Sequence, residues 1–351
     1  ATPTPSPTPY VYDYDLEKKD VSILCVYPSD KRMENSIINY LLSHSLPNGL
    51  SLTIDSVYLN TFNANPDLYL FDEEGNYKYD LVTVGFSDAN SNKDISGVAR
   101  EALSEYIRQG YGFLIGHDTI CYHDTGESPV PAGEGVYAPT STSTPTSGTH
   151  WNMDALILDS AKILTKSQNF VGNDGTSNSV FTDFLRIRKE GQVVQYPFNL
   201  MNGEKKNIDG GSFYTLNSYA THSNAQFCYG DVWVDFAESA GRTQNIITEF
   251  NGFTGTNNFY LTTTGNVGMS QMGHRPYLSD DEVALIINTI FYLSQAQTCE
   301  ICGVGRAQVI RDSENLITRI EQNPDGCFVL GSNITLPSDW EPITGFTGHF
   351  N

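Results

Sequence analysis

The chain reads as an α/β protein: a doubly wound parallel sheet with a β-rich insertion, followed by a short β segment. Three features predict this. From Asp20 to Gly116 short apolar runs alternate with amphipathic helical patterns, and the same alternation returns from Asn258 to Leu293. The stretch between them is rich in Gly, Ser, Thr and Asn, which favours turns and short strands. At 351 residues the chain is long enough for two or three structural units, one of them large.

Residues 1–19 are expected to be a linker. Ala1 to Pro9 alternate Pro with Thr and Ser, a composition that stays extended and solvated and reads equally as an O-glycosylated stalk. The α/β domain is expected over 20–297. Val21 to Val26 forms its first strand, and Met33 to His44 a helix with Ile37, Ile38, Leu41 and Leu42 on one face. Leu52 to Leu59 and Leu81 to Phe86 read as strands. Ser96 to Arg108 reads as a helix ended by Gly110. Gly112-Phe-Leu-Ile-Gly116 is short, apolar and bounded by glycine, as a central parallel strand buried on both faces would be. Ser141 to Gly148 is expected to be a surface loop. Asn258 to Thr263 is the next strand, followed by a loop through His274 and a helix opened by the capping box Ser279-Asp-Asp-Glu282.

Charge narrows the partners. With 20 Lys and Arg against 41 Asp and Glu, the net charge of -21 repels nucleic acid and anionic membrane surfaces. No apolar run is long enough to span a bilayer, so membrane insertion is not expected. The start at Ala1 reads as a mature or recombinant fragment. The stalk composition and six cysteines fit an exported protein in an oxidising compartment. Cys25, inside the first strand, is expected to be a buried thiol. Cys121 and Cys228 can pair across the central region. Cys299, Cys302 and Cys327 supply one disulfide at the junction, in preference to zinc, which would need a fourth ligand.

Residues 106 to 118, Tyr-Ile-Arg-Gln-Gly-Tyr-Gly-Phe-Leu-Ile-Gly-His-Asp, resemble the helix, turn and strand of the trehalose-utilisation and amidotransferase-like superfamily. The strand Val21 to Pro28, the block Asn258 to Thr264 and Met269-Ser-Gln-Met-Gly-His274 fit the same pattern. Together they resemble an amidotransferase-like domain of unknown function from Gram-positive surface proteins, which implies a flavodoxin-like fold over about residues 20–297. Class I glutamine amidotransferases present a Gly-flanked cysteine at a sharp turn after a strand and use a later His-x-Glu. This sequence has neither, which argues against thiol-based amide hydrolysis.

His117-Asp118 stands at the corresponding turn, with His123 close behind; His222 and the pair His274-Arg275 come from distant segments. At the carboxyl ends of the strands such groups can contact a ligand, bind a metal or act as acid and base. Structural hydrogen bonding to loop carbonyls is the bland alternative. Calcium is weighed at Asp72-Glu-Glu-Gly-Asn76 and at Asn173 to Asn178, neither of which has EF-hand spacing; no other cofactor is expected. Tyr58, Phe62, Tyr69 and Phe71 sit in a loop-like stretch and are read as a candidate exposed patch.

Residues 298–351 have a different grammar, with short β pieces at Ser313 to Ile317, Cys327 to Leu330 and Asn333 to Leu336 set among turns. They resemble the first rung of GLUG-type repeats, which stack as a β-helix in bacterial adhesins. One rung cannot bury its apolar face alone, so continuation past Asn351 or cover by another molecule is expected. Two functions follow. The first is a noncatalytic module of a bacterial cell-surface protein that binds a glycan or surface protein or self-associates through an exposed β edge. The second is a hydrolase of a carbohydrate ester or amide using His117, Asp118, His222 or His274.

Overall fold

In the computed structural model of the chain, the described residues are 19–27, 31–84, 94–116, 153, 156, 183–219, 231–237, 249–250, 253–254, 259–264, 266–270, 272, 278–294, 308–310, 313–322, 327–330, 336 and 349–350. The first part alternates strand and helix: β1 (Asp20–Tyr27), α1 (Lys31–Ser43), β2 (Ser51–Tyr58), α2 (Leu59–Ala64), α3 (Pro66–Leu70), β3 (Leu81–Val84), α4 (Gly97–Arg108) and β4 (Gly112–Ile115). The central region supplies β5 (Phe184–Ile187), α5 (Gln192–Gln195), β6 (Lys206–Ile208), β7 (Gly211–Phe213), β8 (Thr215–Asn217), β9 (Asp231–Asp235), β10 (Glu249–Phe250) and β11 (Phe253–Thr254). The chain returns through β12 (Phe259–Thr264) and β13 (Val267–Ser270) to the helix α6 (Asp280–Leu293).

Nine strands form one mixed sheet in the order β2-β1-β3-β4-β13-β12-β9-β5-β8. The first five run parallel. The other four are joined antiparallel. Every residue of β3 and β4 is buried, because helices cover both faces of a parallel sheet. One face carries Ile23, Cys25, Leu81 and Leu114 beneath α1 and α6. The other carries Leu24, Val26, Val82, Phe113 and Ile115 beneath α2, α3 and α4. α6 is buried from Glu282 to Leu293, and a Cβ at Gly112 would stand 2.9 Å from the Leu293 carbonyl oxygen. Glycine is what lets the helix end lie against β4.

Three expectations change here. The sheet is mixed rather than parallel throughout, because β12 pairs antiparallel with β13 and the insertion adds β9, β5 and β8 beyond it. Val267–Ser270, within the expected loop, is β13, the fifth parallel strand; four residues are too few to show a period, and their partner β4 is distant in sequence. The loop-like stretch after Tyr58 is helical: α2 starts at Leu59, and Asn65 caps α3 with Pro66 at its first turn. Phe62 is fully buried there, which removes it from any exposed patch.

In the antiparallel half Leu185, Trp233, Val234 and Leu261 join the apolar core beneath α6, and polar groups add a second set of ties. Arg186 on β5 donates from Nε and Nη2 to Asp235 on β9, both at 2.9 Å, and from Nη1 to Asp209 at 2.9 Å. Asp209 and Gly210 form the β6–β7 turn with φ of 49° and 78°, the positive pair that a type I′ hairpin requires. That hairpin brings the Phe213 ring to 5.1 Å from the Arg186 guanidinium. Burial pushes the Asp235 carboxyl above its ordinary value, and Arg186 opposes that rise.

The capping box forms as predicted: Glu282 N–H donates to Ser279 Oγ at 3.1 Å, and Ser279 N–H to Glu282 Oε2 at 2.9 Å. The same buried carboxylate accepts from Tyr260 Oη, Ser218 Oγ and Tyr219 N–H, which ties β12 and the end of β8 to the helix start. Beyond the sheet, β14 (Gln308–Ile310), β15 (Cys327–Leu330) and β16 (His349–Phe350) pair in parallel, with the helix α7 (Ser313–Gln322) between the first two. The expected β piece from Ser313 is therefore helical. Its Leu316 and Ile320 pack with Ile310 and Phe328 in a small core of their own.

Candidate functional site

The parallel half delivers the chain to its carboxyl edge at Tyr27, Val84, Ile115 and Ser270, and the order reverses between β1 and β3. Ligands of open α/β sheets bind at such an edge. Met269 of β13 pairs with Ile115 of β4, so these two strands end side by side, about 4.8 Å apart. His117 and Asp118 follow Ile115 by two and three residues, and His274 and Arg275 follow Ser270 by four and five. The strand ends that precede them are neighbours. His222 follows β8, whose end lies five strands from β4, about 24 Å along the sheet.

His117, Asp118, His123, His222, His274 and Arg275 themselves lie outside the described residues, as do Cys121, Cys228, Cys299 and Cys302. Cys327 opens β15, with its side chain outside them too. Cys25 is fully buried in β1, as expected.

The described part of this edge is a polar rim. Asn63 Nδ2 donates to the Asp94 carbonyl at 2.9 Å, and its Oδ1 accepts from Ser96 N–H at 2.8 Å. Ser96 in turn caps α4 by accepting from Ala99 N–H. Asp94 Oδ1 accepts from Met153 N–H at 3.0 Å, which fixes the chain at that point over the rim. Tyr27 and Tyr58, at the ends of β1 and β2, have ring centroids 5.7 Å apart.

At the calcium candidate, Asp72 Oδ1 accepts from the N–H groups of Glu74 at 3.0 Å and Asn76 at 2.7 Å. Asp72 N–H donates to the Asn76 carbonyl, and the carboxyl is held below its ordinary value by these hydrogen bonds, that of Asn76 first. This is an Asx turn whose oxygens already have donors. The second calcium candidate, 173–178, lies outside the described residues, and among those described no group of three or more His, Cys, Asp or Glu is placed to hold a metal ion.

At the opposite edge, where β3 and β4 begin, tyrosines converge. Phe71 stacks on Tyr77 at 4.5 Å; Tyr77 meets Tyr106 at 5.1 Å and Tyr111 at 4.7 Å; Tyr106 stacks on Tyr111 at 4.7 Å. Tyr106 is fully buried and donates to the Tyr79 carbonyl at 3.0 Å, whereas Phe71, Tyr77, Tyr79 and Tyr111 are half-buried. Tyr79 Oη donates to Asp55 at 2.9 Å. Burial, then Glu105, Tyr111 and Asp67, push the Tyr77 hydroxyl up to about 12, so it stays a donor at neutral pH.

Sequence reasoning found one member of this cluster, Phe71, and missed Tyr77, Tyr79, Tyr106 and Tyr111. Their signal was available: each lies within a few residues of the first residue of a predicted strand or the Gly before it. No protein-family signature matches the chain, and no curated protein matches it.

Proposed function

We propose that the chain is a noncatalytic extracellular module of a bacterial cell-surface protein, built on a flavodoxin-like, amidotransferase-like domain, that binds a glycan or a surface partner. The strand order β2-β1-β3-β4-β13 supports the flavodoxin-like part, since it is the 2-1-3-4-5 order of that layout. The observation that carries the functional reading is the end of β4. The strand runs through Gly116 into His117-Asp118, where the amidotransferases it resembles place a Gly-flanked cysteine. A histidine and an aspartate in that place supply hydrogen-bonding groups without a thiol nucleophile. The Pro/Thr/Ser segment before the domain supports display on a stalk, and the parallel pairing of β14, β15 and β16 supports the start of a β-helix-like array. β2, eight residues long and at the margin of the sheet, is the edge through which copies would pair.

The adjacency of β4 and β13 favours a second reading, a hydrolase of a carbohydrate ester or amide with His117, Asp118 and His274 at one cleft. Incubating the protein with a glycan array, and separately with O-acetylated and N-acetylated sugars, separates the two. Binding without acetate release is the expected result. Acetate release that is lost in His117→Ala establishes the hydrolase instead.

A further inference from the structure

The two margins of the large sheet are built differently. β8 has three residues, and Asn217 at its end is tied to Asp281 through its N–H and its side chain. β2 has eight, in unbroken register with β1, and carries no proline, lysine, arginine or bulge, the devices that keep edge strands apart. Ser51 N–H donates to the Lys19 carbonyl, so Ser51, Thr53 and Asp55 turn their backbone groups to β1, and Leu52, Ile54 and Ser56 turn theirs outward. Among the described residues no strand lies beyond them. We infer that two copies of the chain join their β2 strands antiparallel about a two-fold axis normal to the sheet, with Ile54 opposite its own counterpart. The inference rests on the pairing of copies in the reading above.

Complementarity of β2 to itself selects a second copy, and charge selects the register. With Ile54 at the axis, Leu52 meets the partner's Ser56, and each outward pair exchanges both of its backbone hydrogen bonds. Between these pairs Thr53 faces the partner's Asp55, hydroxyl against carboxylate. Tyr79 Oη already holds that carboxylate in place at 2.9 Å. A shift of the strand that sets Asp55 against its own counterpart makes a like-charge pair, which destabilises. The opposite shift carries Ser56 past the start of the partner strand. Leu52 and Ile54 are half-buried at the margin of the core beneath α1, and the seam completes their burial. The helix adds apolar surface on that flank: Ile37 and Leu41 face the sheet, His44 turns toward Asp280 and Phe198, and Leu42, on the other flank, is 46% exposed. Two chains of net charge -21 repel, so the dimer tightens as salt screens them.

Sedimentation velocity of the full chain, from low to high micromolar concentration, reads the dimer, and added salt should strengthen it. Ser56→Pro removes an outward N–H, which the edge of a monomer tolerates, and should weaken dimerisation about ten-fold or more. Thr53→Lys sets a cation against each opposing Asp55 and should tighten the dimer about three-fold, whereas Thr53→Glu should weaken it by about as much. Should Ser56→Pro fail to fold, amide exchange of the native chain reads the same edge: the N–H groups of Leu52, Ile54 and Ser56 should gain protection as concentration rises. A chain that stays monomeric throughout overturns the seam, while glycan binding on the array stands or falls by itself. A dimer that Ser56→Pro leaves unchanged also overturns the seam and moves self-association elsewhere. Loss of the dimer in Ser56→Pro with no response to either Thr53 variant overturns the register. Protection of the three amides in a monomer assigns the edge to the chain's own residues and overturns the dimer.

Discussion

The parallel half of the sheet and the antiparallel half bury their strands by different means. In the parallel half, Ile23, Val82, Leu114 and their neighbours meet helices on both faces, and the close fit is set by backbone, as where Gly112 faces the Leu293 carbonyl. In the antiparallel half Leu185, Trp233 and Val234 share the core of α6, and in addition a buried arginine joins two strands and the β6–β7 hairpin through two aspartates. The first depends on apolar area and shape. The second depends on these and also on Arg186, Asp209 and Asp235 keeping their partners.

The largest effect is expected where a buried charge would lose its partner. Asp235 is 3% exposed, and Asp235→Ala leaves the Arg186 guanidinium without its bidentate acceptor. A loss of about 3–5 kcal/mol is expected, read from the urea midpoint at constant slope. The double change Arg186→Met with Asp235→Leu removes both charges and should cost far less. Equal losses in the two variants would show that the antiparallel half rests on packing like its neighbour.

A smaller effect probes the parallel half. In Gly112→Ala the new methyl meets backbone at 2.9 Å, so the end of α6 must shift, at a cost of about 1–3 kcal/mol. Gly203→Ala, with nothing within 4 Å, is the near-neutral control. Thermal melts that place both variants together would refute the close backbone fit.

The smallest effect lies in the turn joining Phe71 to Tyr77, outside both halves. The folded Asp72 carboxyl is held below its ordinary value of 3.8, so its stabilisation is complete above that pH and fades as pH falls from 3.8 toward the lower folded value. Amide NMR shifts of Glu74 and Asn76 should move in that acid range in the native chain and stay still in Asp72→Asn. Movement centred above pH 4 would contradict the turn's hydrogen bonding.

These halves also differ in how far they could be read in advance. β1, α1, α4 and β4 carry complete local patterns: apolar runs, a helical stripe, a capping serine and bounding glycines. β13 and the arginine network carry none. Arg186 looks like any strand residue until Asp235, 49 positions later, and Asp209, 23 positions later, are brought to it. Of the candidate site, the sequence offered the residues that follow β4, and the neighbouring position of β13 came only from the sheet order.

Local and periodic features were therefore legible in the residues themselves: the α/β alternation, the capping box at Ser279 and Glu282, and the acidic charge. Sheet order and long-range packing settled which strand completes the parallel sheet, that the insertion extends the same sheet, and that Phe71, Tyr77, Tyr106 and Tyr111 form one cluster. The physical reason is one of range. Helix stripes and caps are contacts between residues three or four apart, whereas sheet order and side-chain clusters are chosen by burial among segments that no local pattern connects.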